Sequence, residues 1–223
     1  MRRPLLLLAS ASPRRRFLLR LLGVRFAVRS SGAAERPRSG EPPRILVRRL
    51  ALAKARAVAA RHPRAWVLGA DTVVCMGRRI LGRPSDRREA DGMLRLLSGR
   101  THRVWTGMAI VAPGRGPARQ ADACTRVSVA ALSRAERLAY LDAGEWRGKA
   151  GAYAVQGRFA AYVRGLDGEY TNVVGLPLER LRRLLRAAGF PGEPGGPGAS
   201  APSMLAPSRR RSTRDRAQPP RDR

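Results

Sequence analysis

Short apolar runs alternate with capped helical patterns along almost the whole chain, and few architectures accommodate that alternation. Residues 5–9 form an apolar run that reads as a buried strand. Ser12 and Pro13 follow, a hydroxyl suited to cap a helix and a proline suited to its first turn. Phe17, Leu18, Leu21 and Leu22 then recur at helical spacing until Gly23. Residues 30–43 read as loop, 45–61 as an Ala-rich helix, and 66–76 as an interior strand closed by a Gly77-Arg78 turn. Ser85 or Asp86 caps a helix that runs through Leu97, with Gly99 beyond its end. Residues 103–112 and 119–132 read as two strands joined by a Pro/Gly loop. Ser133 and Glu136 then form a capping box for a helix ending near Gly144. Residues 153–156 and 159–166 are expected as strands, with a hairpin at Asp167-Gly168 leading into a further strand at 169–174. Pro177 opens a last helix, apolar at Leu178, Leu181, Leu184 and Leu185. The result is an α/β fold with a mixed sheet.

With 223 residues and 43% of them hydrophobic, the chain can bury the core of one ordinary domain or two small lobes. The segment 191–223 is rich in Pro, Gly, Ser and Arg and too poor in apolar side chains to offset its ordering entropy. It is expected to be a disordered tail behind a folded body of residues 1–190. Two cysteines, Cys75 and Cys124, make neither a disulfide framework nor, with His62 and His102, a metal cluster. No apolar run reaches the length of a membrane span. The amino terminus imitates a secretory signal, but its apolar stretch is too short. A reducing, cytoplasmic setting is therefore expected, with no membrane partner.

The net charge of +29 invites a nucleic-acid reading, yet all but two of the 45 basic residues are Arg, spread over loops, helices and tail alike. That skew resembles a coding bias as much as a footprint, and 5% aromatic content offers little for stacking on single strands. Nucleic acid is expected to feel only a weak electrostatic attraction from the tail. The same skew makes Lys54 and Lys149 informative, because a compact ammonium survives where a planar fork would not fit.

Three segments carry candidate chemistry. Ser12, Arg14 and Arg15 lie at the start of a helix, where free N–H groups attract an anion. Arginines in a first turn oppose the helix dipole, and an anion between them and the dipole would relieve that; solvated arginines on a plain capped helix are the bland alternative. Asp71 sits within the apolar strand 66–76, where a carboxylate is costly unless it is paired, bound to metal or serving as a base. Thr72 points to the opposite face of a regular strand, so both reach one ligand only if the strand ends or twists there. Lys149 lies between glycines ahead of Gln156, whose amide offers both a donor and an acceptor to a base edge. Lys54 on its helix, otherwise a plain solvated lysine, Arg83 after a short strand, and Glu35 in its loop as a carboxylate for a divalent ion complete the set. There is no P-loop and no Gly-x-Gly-x-x-Gly.

Taken in order, residues 8–15, 54–55, 68–74, 81–84, 93–94 with 97–99, 102 with 106–107, 144–145, 149–153, 156–157 and 173–177 resemble the Maf family of nucleoside triphosphate pyrophosphatases, in its dTTP/UTP branch. The resemblance implies an elongated mixed twisted sheet flanked by helices, two lobes with a central cleft, and kinship with inosine-triphosphate pyrophosphatases. It implies hydrolysis of a nucleoside triphosphate to monophosphate and pyrophosphate with a divalent cation, Mg²⁺ or Mn²⁺. Asp71 would be the general base. Arg14, Thr72 and Gln156 would set substrate choice, Gln at the last position going with dTTP and UTP, whereas Glu there marks a branch preferring 7-methyl-GTP. Ser12, Arg15, Lys54, Arg83 and Lys149 would hold phosphates, and Glu35 and Asp71 the metal. The chain departs from the family pattern at Arg83, where Lys is usual, and at Val129, where Phe is usual. A homodimer is left open. Two rivals stand beside this reading: a non-catalytic nucleotide- or partner-binding regulator of cell division, and an Arg-rich nucleic-acid binder.

Overall fold

The structure, a computed structural model, describes residues 5–192. All but two residues of the expected tail lie outside that range, as do residues 1–4. Strand β1 (Leu6–Leu8) leads into helix α1 (Pro13–Leu21), capped by Ser12, and then β2 (Phe26–Val28). Helix α2 (Pro43–Arg61) precedes the long strand β3 (Trp66–Met76), which turns at Gly77 into β4 (Arg79–Leu81). Helix α3 (Arg87–Leu97), β5 (Thr101–Val111), β6 (Arg119–Val129) and α4 (Arg134–Asp142) follow. The described chain closes with β7 (Val163–Asp167), a short helix α5 (Tyr170–Val174) and α6 (Leu178–Ala187).

One seven-stranded mixed sheet results, in the order β2-β1-β3-β5-β6-β7, with β4 also on β3. β1 runs parallel to β2 and β3, whereas the other pairs are antiparallel. Alternation along β3 sends Val67, Gly69, Asp71 and Val73 toward α2 and Leu68, Ala70, Thr72 and Val74 to the other face. The apolar clusters divide accordingly: Val67 and Val73 pack with residues of α2, while Leu68, Ala70 and Val74 join the larger core with α1, α3 and α6. Helix α2 lies very close to the sheet. A Cβ on Gly69 would come within 2.1 Å of the Ala51 carbonyl oxygen, and one on Gly107 within 2.4 Å of the Val47 backbone. The stripe that α2 buries, Leu46, Val47, Leu50, Ala51, Lys54, Ala55 and Val58, includes a lysine.

The edge of β3 opposite β5 is not fully covered. β1 pairs only with residues 66–68 and β4 only with 74–76. Between them five residues of β3 face no strand, beside the carboxyl end of β1 and the start of α1. In open α/β sheets such a break at strand ends is where ligands enter.

Three expected strands are corrected. Residues 153–156 alternate in burial as a strand would, but no neighbouring strand accepts them, and the segment folds as a turn. Residues 158–162 form 3₁₀ turns before β7 begins at Val163. Residues 169–174 make no hairpin. Thr125 binds both the N–H and the carbonyl of Glu169, and the buried Asn172 amide donates to the Val104 carbonyl and Thr125 Oγ1, which seats one helical turn on the sheet. Among the described residues no helix is long and apolar enough to cross a membrane.

Candidate active site

A cavity of about 290 Å³ opens at the gap in the β3 edge. Its walls include Ser12, Arg14, Arg15, Glu35, Asp71, Thr72, Arg83, Lys149 and Gln156. Residues from both faces of one strand thus reach a single hollow. β3 does not end at Asp71: it stays paired with β5 from Val67 to Cys75, and it is β1 and β4 on the other edge that stop short.

Asp71 is 6% exposed, and its Oδ1 accepts a hydrogen bond from Lys54 Nζ at 2.6 Å. The same ammonium meets Glu35 Oε1, also at 2.6 Å. Lys54 is 4% exposed and does not line the cavity; it stands behind Asp71, on the core side of α2. One ammonium thus bridges two carboxylates, one buried and one half-exposed. Burial pushes the Glu35 carboxyl up, but the hydrogen bond and charge of Lys54, with Arg83 and Arg15, bring it below its ordinary value.

On the other face of β3, Arg15 is buried and used as a brace. Its Nε donates to the Gly175 carbonyl (2.9 Å), one terminal nitrogen to Ser10 Oγ (3.2 Å) and the other to Thr72 Oγ1 (3.0 Å). Thr72 Oγ1 in turn pairs with Thr106 Oγ1 at 2.9 Å, and Arg14 Nε donates to the Val174 carbonyl at 3.1 Å. The first turn of α1 is thereby locked to the carboxyl end of α5. Ser12 Oγ accepts from the Arg15 N–H at 3.5 Å as a cap, leaving its own proton to donate. Arg83 reaches Glu35 at 3.5 Å, and Lys149 Nζ donates to the Arg147 carbonyl at 3.1 Å.

The cations raise one another's energy. Burial and the charge of Arg83 lower the pKa of Arg14, and burial lowers that of Arg15, where Asp71 and Glu35 oppose the shift while Arg14 and Arg83 add to it. Burial and Arg14 lower that of Lys149. An arriving polyanion would relieve this repulsion, which is the electrostatic condition for binding phosphates.

Ser10, Thr106 and the carbonyls of Val174 and Gly175 had been assigned no role. They fall within segments that carry the family resemblance, but their contribution shows only in contacts with Arg14, Arg15 or Thr72. Tyr153, also on the cavity wall, pairs through its hydroxyl with Nε2 of the buried His102 at 2.8 Å. Burial drops the His102 pKa from 6.5 to about 4. Between those values the unfolded chain binds a proton that the folded chain does not, so stability rises with pH over that interval and is lost as pH falls through it. The loss is about 3 kcal/mol by pH 4, at roughly 1.4 kcal/mol per unit. Melting curves from pH 7 down to 5 should therefore shift downward in the wild type and change less in His102→Gln; equal slopes would count against a buried neutral imidazole.

Comparison with known proteins points to one family. The Maf-like protein family matches residues 5–188. The dTTP/UTP pyrophosphatase of Pelotomaculum thermopropionicum is 49% identical over 185 residues, spanning 83% of this chain and 97% of that one. The dTTP/UTP pyrophosphatase of Myxococcus xanthus is 50% identical over 187 residues, spanning 84% and 94%. Among solved structures the Ham1 protein of Staphylococcus aureus aligns at 12% identity and a TM-score of 0.40, over 56% of this chain and 72% of that one. That superposition is too distant to carry an argument.

Proposed function

The chain belongs to the Maf-like family, and from that premise we propose that it hydrolyses dTTP and UTP to the nucleoside monophosphate and pyrophosphate. The observation that carries the proposal is the shared hollow, in which one buried carboxylate, Asp71, faces Arg14, Arg15, Arg83 and Lys149. The proposed catalytic body is residues 1–190.

Asp71 takes a proton from a water as the water oxygen bonds to the α-phosphorus and the bond from that phosphorus to the bridging oxygen breaks. Pyrophosphate leaves toward the cations. Arg15, braced by three hydrogen bonds, presents its remaining N–H donors without reorganising, which is the condition for effective charge stabilisation. Arg14, Arg83, Lys149 and the Ser12 hydroxyl complete the phosphate cradle. The Lys54 ammonium is committed to two carboxylates, so in this reading it aims Asp71 instead of touching phosphate.

A divalent cation suits this donor set. Among the described residues no three His, Cys, Asp or Glu side chains form a metal cluster, but Mg²⁺ commonly takes one or two carboxylates together with substrate phosphates and water. Glu35 and Asp71, sharing one ammonium at the cavity, are the residues that would hold it. When bound it would neutralise charge on the triphosphate.

Gln156 lines the cavity and makes no side-chain hydrogen bond within the described protein, so its amide is free to meet O4 and N3–H of thymine or uracil. Replacing it with Ala is expected to reduce the preference for dTTP over GTP by about 10–200-fold in kcat/KM. The direct test is pyrophosphate release with Mg²⁺ or Mn²⁺ across dTTP, UTP, CTP, GTP and ATP. Release from dTTP and UTP well above the purine nucleotides is expected; none from any triphosphate would favour a binding protein.

A further inference from the structure

Glu145 follows α4 and does not line the cavity, yet its carboxylate grips the segment that does. Both oxygens accept from the Arg158 N–H, Oε2 at 2.9 Å and Oε1 at 3.3 Å. The carboxylate fills the space above Gly157 so closely that a Cβ there would lie 2.0 Å from Oε2. The backbone of Gly157 is extended (φ −108°), so a side chain there would meet no backbone strain and would instead displace the Glu145 carboxylate. The Gly157 N–H donates to the Ala154 carbonyl at 3.1 Å, closing a turn with Val155 and Gln156 inside it. The far side of that turn is tied by the Ala154 N–H to the Tyr140 hydroxyl, also at 3.1 Å.

Among the described residues the Gln156 side chain has no hydrogen-bond partner, so this turn sets where its amide is presented. Glu145 also faces Lys149, whose ammonium it favours against burial and Arg14. One carboxylate therefore holds the carboxyl end of the segment and acts on the cation at its start.

We infer that Glu145 is a positioning residue for base recognition: by clamping the Arg158 N–H over Gly157 it fixes the turn that presents Gln156 to the pyrimidine. This rests on the reading of Gln156 given above. A clamp on the backbone should act on substrate binding and selectivity far more than on the chemical step at Asp71, which lies on another element.

The test compares kcat and KM on dTTP and GTP for wild type, Glu145→Ala, Glu145→Gln, Gly157→Ala and Gln156→Ala. Glu145→Ala is expected to raise KM for dTTP and lower the dTTP-to-GTP ratio of kcat/KM by about tenfold, with a much smaller change in kcat. Gly157→Ala, which evicts the carboxylate without removing it, should do the same and so covers the case in which Glu145→Ala fails to fold. Glu145→Gln retains an acceptor for the Arg158 N–H and should stay near wild type. In the Glu145→Ala background, Gly157→Ala should add little, because the two act through one contact. The inference is overturned if Gln156→Ala loses selectivity while Glu145→Ala or Gly157→Ala keeps it, or if kcat falls with KM unchanged. A wild type without preference between dTTP and GTP would instead remove the base-reading role of Gln156, and the clamp's purpose with it.

Discussion

Asp71→Asn should lower kcat for pyrophosphate release by roughly 10²–10⁴-fold, the usual contribution of a positioned general base. The substitution keeps shape and an acceptor oxygen for Lys54 Nζ, and Glu35 remains as that ammonium's charged partner. The fold should therefore survive, with a stability loss of about 1–3 kcal/mol. Nucleotide binding measured without divalent cation should survive too, since the proposed phosphate cradle does not include Asp71. Steady-state pyrophosphate release, a thermal melt and a dTTP titration separate these effects. A variant that turns over dTTP at the wild-type rate would refute the role given to Asp71, and one that no longer binds dTTP would place that carboxylate in recognition instead.

Lys54→Met should have the largest effect on stability. It leaves Asp71, 6% exposed, facing Glu35 with no cation between them. Removing one partner of a buried pair typically costs about 3–5 kcal/mol, because the other charge is stranded. Combining Lys54→Met with Asp71→Asn should recover part of the lost stability without recovering activity, since the stranded charge is then gone. Denaturant unfolding of the four proteins tests the coupling. Additive losses would mean that the ammonium and the carboxylate do not depend on each other, contrary to their 2.6 Å contact.

The elements were most legible where the signal was local. Ser12-Pro13 begins α1, Asp86 caps α3, Ser133 and Glu136 close a reciprocal cap on α4, and Gly23, Gly99 and Gly189 take positive φ beyond helix ends. Each of these depends on a few neighbouring residues. Residues 153–156, 159–162 and 169–174 differ from the strands expected there because a strand is not a local object: it needs an edge to pair with. Tyr153 and Val155 are indeed buried and Gln156 exposed, but the alternation is satisfied against α-helical and aromatic neighbours without a ladder.

The candidate site divides along the same line. Sequence alone determined which side chains could carry chemistry: an acid amid apolar neighbours, two lysines in an Arg-dominated chain, and arginines in a helix's first turn. Those properties belong to the residues themselves and to their immediate context. Only the tertiary structure decided where each one stands and what it pairs with. Lys54, expected as a phosphate ligand, stands as the counter-charge behind Asp71, because α2 lies close enough over Gly69 and Gly107 to bury it. Asp71 and Thr72 came to share a hollow because β1 and β4 leave part of one strand edge uncovered. Burial and pairing across distant elements set the energy of a charge, and neither quantity exists until the chain is folded.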